Sequence, residues 1–446
     1  MTRTLMSGTA LALALAGTAQ ADGHMMFAVG EGDFNWDSYN SFAEAHDLSG
    51  QSINITGPWT GADKDLVDSV IAYFEEATGA EVEYSGSDSF ESDFVIAAQA
   101  GSAPDMAVFP QPGLMADMFR QGNLVAMDDG VADWVGENYA AGESWVGLGS
   151  VDGTMVGFPY KIDVKSLVWY VPEAFEEAGY EIPESMEALK ELTDQIVADG
   201  GTPWCIGLGS GAATGWPATD WVEDMLLRTA SPETYDQWVA NEISFDDPAV
   251  IRAIEEFGHF ARNDDYVNGG AQAVASTDFR DSPTGLFEFP PECYMHRQAS
   301  FIPTFFPEGT EVGADVDFFY FPAYEGEDLG QPVLGAGTMF ARTVDNDATD
   351  AFVAFLQTPI AHELWMAQSG FLTPYTEANT DVFASDTQRA LNDVLTNATT
   401  FRFDGSDLMP GEIGAGAFWT GMVDYATGTS AEEAAAAIQE RWNAIK

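Results

Sequence analysis

Along this chain, short runs that alternate apolar and polar residues are followed by longer stretches whose apolar residues recur every three or four positions, so strands and helices are expected in turn. Ser52 to Thr56 carries Ile53 and Ile55 on one face of a strand. After Gly57-Pro58-Trp59-Thr60-Gly61, a helix would turn Leu66, Val67, Val70, Ile71 and Phe74 inward, and Gly79 stops it as a left-handed cap does. The spacing next predicts strands over Glu81 to Tyr84 and Asp105 to Phe109, and helices over Phe90 to Ala100 and Pro112 to Gln121. Strands that alternate with helices predict an α/β fold, a parallel sheet covered on both faces.

The pattern breaks between Gly153 and Phe175. An apolar run is closed there by Pro159, which lacks the backbone donor that a central strand needs. Lys161-Ile162-Asp163-Val164-Lys165 then alternates polar and apolar residues and holds two of the chain's five lysines. Ser166 to Phe175 is apolar and β-prone again, so the chain is expected to leave one sheet, cross a polar gap and enter another. Beyond it come a helix over Met186 to Ala198, a strand over Trp204 to Leu208, a helix from Thr219, and a helix opened by Asp247 as cap and Pro248 as first residue. Thr284 to Phe289 and Asp315 to Phe321 are expected as strands, and the glycine-rich apolar run Pro332 to Ala341 as the return crossing. Helices over Asp347 to Gln357 and Ile360 to Gln368 follow, and Ser430 with Glu433 forms a capping box before the last helix. Domains that exchange the chain through short crossings are tied as a hinge. The expected boundaries are residues 22–160 with 336–372 for a first lobe and 161–335 with 373–446 for a second.

Composition agrees with two domains. A chain of 446 residues exceeds one ordinary core, and 46% hydrophobic content with 13% aromatics excludes disorder as the main state. The formal charge is −56, and leaving out residues 1–21, whose one charge is Arg3, makes it −57. Such a surface repels nucleic acid and anionic lipid, and it suits salty surroundings that screen its self-repulsion. A specific cation-binding role is the other reading of the same carboxylates. Residues 1–21 read as a secretion signal: Arg3, an apolar core Leu11 to Ala16, and the exit Ala19-Gln20-Ala21, with cleavage after Ala21. That core is too short to span a bilayer, no later run is long enough, and no cysteine follows the cleavage point to carry a lipid. A soluble, monomeric periplasmic protein of a Gram-negative cell, not inserted in the membrane, is expected. Cys205 and Cys293 would then meet oxidising surroundings; a disulfide between them is expected, with two buried free thiols as the alternative. Five scattered histidines offer no metal site, and no cofactor is expected.

In open α/β sheets, ligands bind beyond the carboxyl ends of the strands. Loops so placed hold Trp59 and Thr60, Ser87 to Ser89, Pro110 and Gln111, Asp163 in the crossing, and Trp216 in Gly215-Trp216-Pro217. Indole faces stack on the C–H faces of a pyranose while carboxylates and amides take its hydroxyls, although ordinary packing is the other use of the chain's twelve tryptophans.

The apolar Gly-x-Pro strand at Gly157, the hydrophobic strand after it and the helix ending in Ala178-Gly179 resemble the crossover of extracellular solute-binding proteins that serve sugar ABC importers. Gly215-Trp216-Pro217 and Ala417-Phe418-Trp419 are similar to segments that line the site in α-glucoside and maltose-type members. Asp163 falls where that family has a crossover carboxylate, and Trp59 to Gly61 aligns with its first ligand loop. The chain departs from the pattern where Gly61-Ala62 replaces the maltose-type Asp-Lys pair and Phe109 replaces a tryptophan. The resemblance implies a periplasmic binding protein-like fold, two doubly wound α/β domains joined by a hinge with the ligand in the cleft between them. It further implies a receptor for a neutral oligosaccharide, an α-glucoside such as maltose, sucrose or trehalose. Trp59, Thr60, Gln111, Asp163, Trp216 and Trp419 would bind the sugar, and an ABC permease would receive it.

Gly207-Leu208-Gly209-Ser210-Gly211 imitates part of a dinucleotide fingerprint, but no nicotinamide pool is expected outside the cytoplasm. Paired carboxylates for glycoside hydrolysis are uninformative among 72 acids, and neither a Gly-x-Ser-x-Gly elbow nor a His-Glu-x-x-His occurs. No catalytic residue is expected. A secreted carbohydrate-active enzyme, and a binder of polyamines or other cations, are the alternatives.

Overall fold

The computed structural model describes residues 25–368 and 370–445, and the expected secretion signal lies outside them. The strands, in chain order, are β1 (Ser52–Gly57), β2 (Glu81–Gly86), β3 (Met106–Phe109), β4 (Ser150–Val151), β5 (Thr154–Met155), β6 (Gly157–Val164), β7 (Leu167–Tyr170), β8 (His296–Arg297), β9 (Asp317–Tyr320), β10 (Pro332–Arg342) and β11 (Thr400–Phe403). The main sheet has the order β11-β10-β3-β1-β2, with β6 also paired to β10. β1 is parallel to β2 and β3, whereas β10 is antiparallel to β3 and β6. Helices Ala62–Thr78, Phe90–Gln99 and Pro112–Arg120 connect these strands where the apolar spacing predicts. Gly79 caps the first of them at φ 72°, its N–H bonded to Glu75 O.

A smaller antiparallel sheet, β8-β7-β9, lies under helices of the chain's second half. Val168 and Phe319 of that sheet share one buried cluster with Trp221 and Met225 of helix Trp216–Thr229 and with Ile254 and Phe257 of helix Pro248–Ala261. Cys205 and Cys293 form a disulfide, with Cα atoms 5.5 Å apart. Its two segments are also joined by the hydrogen bond from Cys205 N to Met295 O at 2.8 Å. No helix among the described residues is long and apolar enough to cross a membrane.

Three local expectations are corrected. Thr284 to Phe289 is not a strand: Ser282–Phe287 is a 3-10 helix, in which Pro283 stands at the start, where a missing donor costs nothing. Trp204 to Leu208 makes isolated parallel bridges from Trp204 to Val267 and Met295 in place of a full strand. The polar gap after Pro159 is absent, because β6 runs through Pro159 to Val164 with all eight residues buried. Proline is tolerated there because the register of β6 on β10 shifts between Thr338 and Met339, next to Pro159, so the missing N–H falls at an irregularity of the ladder. The alternation of Lys161, Ile162, Asp163 and Val164 is therefore the two-residue period of a strand with one polar face.

Candidate ligand-binding cleft

That polar face is the floor of a cavity. Lys161 and Asp163 of β6, with Lys165 just beyond, meet Ala336, Gly337 and Thr338 of β10, and the loops after β1, β2 and β3 close one side. Segments 210–220, 279–301 and 404–419 close the other. Buried charges need partners, since taking one ion out of water costs several kcal/mol, about the worth of a good pairing. Lys161 Nζ donates to both oxygens of Asp163 at 2.8 Å, and Ser300 Oγ donates to Asp163 Oδ1 at 3.3 Å. Lys165 Nζ donates to Asp220 Oδ1 at 2.8 Å and to Asp404 Oδ2 at 2.5 Å.

Seven carboxyl side chains line the cavity, those of Asp63, Asp88, Glu91, Asp163, Asp220, Asp404 and Asp407, yet the wall is less anionic than that number suggests. Burial pushes Asp220 up to about 8 against the pull of Lys165. Burial acts on Asp404 too, but the Lys165 ammonium outweighs it and holds that carboxyl at about 2, so Lys165 and Asp404 are the ionised pair. Burial also pushes Asp63 up to about 6 and raises Glu91 and Asp407. Near neutrality Asp220 carries a proton, and burial favours the neutral forms of Asp63, Glu91 and Asp407.

Five of the six expected binding residues, Trp59, Gln111, Asp163, Trp216 and Trp419, line this cavity together. Trp216 packs edge-on against Phe279, ring centroids 4.9 Å apart, and Phe301 lies 6.0 Å away, so three rings form one wall. Trp59 serves the wall and the core at once, its other side edge-on to Trp365 at 5.0 Å. Gly215 has φ +118°, and a Cβ there would lie 2.4 Å from Trp419 O. Glycine in Gly-Trp-Pro is thus what lets the Trp216 and Trp419 segments touch. Gln111 Nε2 donates to Glu91 Oε1 at 3.0 Å. Thr60 stands at the rim, where its hydroxyl donates to Asp88 Oδ1 at 3.0 Å. Phe109 is buried away from the cavity, edge-on to Phe90 and Phe94.

Sequence reasoning missed Asp63, Lys161, Lys165, Asp220, Arg280, Thr338 and Asp404. Asp63 and Lys64 stand two residues beyond Gly61-Ala62, in the first turn of helix Ala62–Thr78. Asp63 reaches the cavity, whereas Lys64 pairs with Asp68 outside it. Among the described residues, Asp63 Oδ1, Gln111 Oε1, Asp220 Oδ2, Thr338 Oγ1 and Trp419 Nε1 are buried polar atoms of the cavity wall with no hydrogen-bond partner in the protein. Leaving such an atom unpaired costs about 1–3 kcal/mol, so the five give this wall unused hydrogen-bonding capacity.

The family of bacterial extracellular solute-binding proteins matches residues 57–363. The chain is 58% identical, over the whole of both proteins, to the α-glucosides-binding periplasmic protein AglE of Rhizobium meliloti (strain 1021). It is 41% identical to the osmoprotective compounds-binding protein GgtB of Synechocystis sp., over 88% of this chain and 92% of that one. Among solved structures, the bacterial solute receptor AcbH superposes with a TM-score of 0.76 at 18% identity, covering 89% of this chain and 99% of that chain. Maltose-bound MalE3 of T. maritima superposes with a TM-score of 0.69 at 16% identity, covering 89% of this chain and all of that chain. These likenesses show that the chain shares the fold of these structures. With a family match over most of its length and a relative similar from end to end, the chain belongs to the bacterial extracellular solute-binding proteins, and it is a binding protein and not an enzyme.

Proposed function

We propose that this protein is the periplasmic receptor of an ABC importer, that its cleft binds a neutral α-glucoside such as maltose, sucrose or trehalose, and that it delivers the sugar to the permease. The observation that carries this reading is the convergence of unpartnered buried polar atoms with indole and phenyl faces on one cavity. Rings cover the C–H faces of a pyranose, and fixed acceptors and donors take its hydroxyls. The α-glucosides for which the relative from Rhizobium meliloti is named support the same class.

In this reading residues 22–160 with 336–372 form one lobe, and 161–335 with 373–446 form the other. β6 and β10, side by side and antiparallel, are the hinge. Trp59 and Gln111 meet the sugar from the first lobe, with Thr60 at the rim; Asp163, Trp216 and Trp419 meet it from the second. A ligand that touches both sides favours closure, because only differential contact shifts such an equilibrium. The chain works as a secreted monomer after cleavage past Ala21. The seven cavity carboxyls motivate a second reading, a polyamine binder, which their pairing with Lys161, Lys165 and Arg280 disfavours. Calorimetry with a panel of α-glucosides and with spermidine tests both. Saturable binding of at least one α-glucoside and none of spermidine is expected; the reverse overturns the proposal.

A further inference from the structure

At the cleft mouth, Arg280 crosses from the second-lobe side to the loop after β2. Its Nη2 donates to Asp88 Oδ1 at 2.6 Å and to Thr60 Oγ1 at 3.2 Å, and the Thr60 hydroxyl donates to the same Asp88 oxygen. On its own side the guanidinium is braced over the rings of Phe279 and Phe305, 4.4 and 5.5 Å from their centroids. The Arg280 side chain is 22% exposed and that of Asp88 is 45% exposed, so the pair is open to screening by salt.

Resting on the two-lobed reading above, we propose that Arg280 is a positioning residue for ligand binding: it bridges the cleft mouth to Asp88 and Thr60 and holds the lobes closed over the sugar. The cleft's other ion pairs have a different geometry. Lys161 and Asp163 lie two residues apart on one strand, and Lys165 joins Asp220 and Asp404 on the second-lobe side of the cavity. Neither pair spans the mouth. Hinge opening separates Arg280 from Asp88 and leaves the guanidinium with water and with Asp278, whose Oδ1 lies 3.6 Å from Nη1 on its own side. The bridge therefore adds to the closed state whichever sugar lies inside, and its removal weakens all sugars by one common factor. For a partly exposed pair that factor is about two- to fivefold.

The experiment compares the parent with Arg280→Ala, Arg280→Glu, Asp88→Arg and the exchanged pair R280E/D88R, each checked for folding by circular dichroism. Calorimetry with maltose, sucrose and trehalose is run at low salt and at about 1 M sodium chloride, where charges are screened within a few ångströms. Arg280→Ala is expected to weaken every sugar that the parent binds by the same two- to fivefold and to abolish the loss of affinity that salt causes in the parent. The two charge reversals should weaken binding further, and their combination should recover much of the loss. A factor that differs among sugars would mean that Arg280 contacts the ligand itself, and a double variant no better than the worse single one would mean that the pair does not close the mouth; either overturns the proposal. Small-angle scattering without sugar reads the bridge separately: a larger radius of gyration for Arg280→Glu, reversed in the exchanged pair, supports it, and equal radii overturn it. A parent that binds none of the three sugars would count against the α-glucoside reading, leaving scattering to decide the bridge.

Discussion

Single side chains decide what the cleft can hold. Trp216 and Trp419 are the proposed platforms for sugar rings, and loss of a stacking face costs on the order of 1–3 kcal/mol. Trp216→Ala and Trp419→Ala are each expected to weaken the best α-glucoside about tenfold to a hundredfold by calorimetry, with secondary structure retained. If both variants bind like the parent, the sugar lies elsewhere. Asp63 makes a prediction about stability. Its carboxyl titrates at about 6 in the folded protein against 3.8 for an unperturbed aspartate, because burial disfavours the charge. Below about pH 4 neither state is ionised and nothing is lost. Between 4 and 6 the unfolded chain gives up its proton first, so stability falls as pH rises, and above 6 the full penalty of roughly 2–3 kcal/mol persists. Asp63→Asn should therefore melt close to the parent at pH 4 and at a higher temperature at pH 7. An equal gap at both pH values would mean that Asp63 is not held in this way. Asp63 was not legible in the sequence as a cavity residue, because its arrival in the cavity depends on where the first helix turn lands.

At the scale of elements, capping residues carried the clearest local signals. Asp247 accepts from Ala249 N at the start of helix Pro248–Ala261, and Ser430 with Glu433 closes both bonds of a capping box. Such signals are local, so the order of a few neighbouring residues reveals them. The corrected elements had competing local signals: Pro159 argued against a strand that a register shift accommodates, and Thr284 to Phe289 held an apolar run that a tight 3-10 turn takes up. The disulfide ties two elements across a sequence separation of 88, and both cysteines are buried. The chain-entropy model assigns such a loop roughly 4–5 kcal/mol. Replacing both cysteines by alanine should lower the free energy of unfolding by up to that amount in a denaturant titration, and thiol labelling of the unreduced, unfolded parent should find almost no free thiol. Two reactive thiols per chain would exclude the bond.

For the whole molecule, charge sets the response to salt. A formal charge of −56 with 16 basic residues repels itself over a Debye length, and that length shrinks from about 30 Å at 0.01 M to about 3 Å at 1 M salt. The thermal midpoint is expected to rise with sodium chloride while sugar affinity falls as the Arg280 bridge is screened. A midpoint flat across that range would mean that the surface charges are already balanced locally. The sequence by itself determined the alternation of strands and helices from Ser52 to Arg120 and most of the helix ends. Those features follow from local periodicity and conformational preference. Only the tertiary structure decided which charges neutralise one another. Lys165 finds Asp220 and Asp404 at sequence separations of 55 and 239, and Arg280 finds Asp88 at 192. Periodicity shows which face of a strand a lysine occupies, but the partner waiting there is fixed by how the sheets and loops pack, and no local pattern in the chain encodes it.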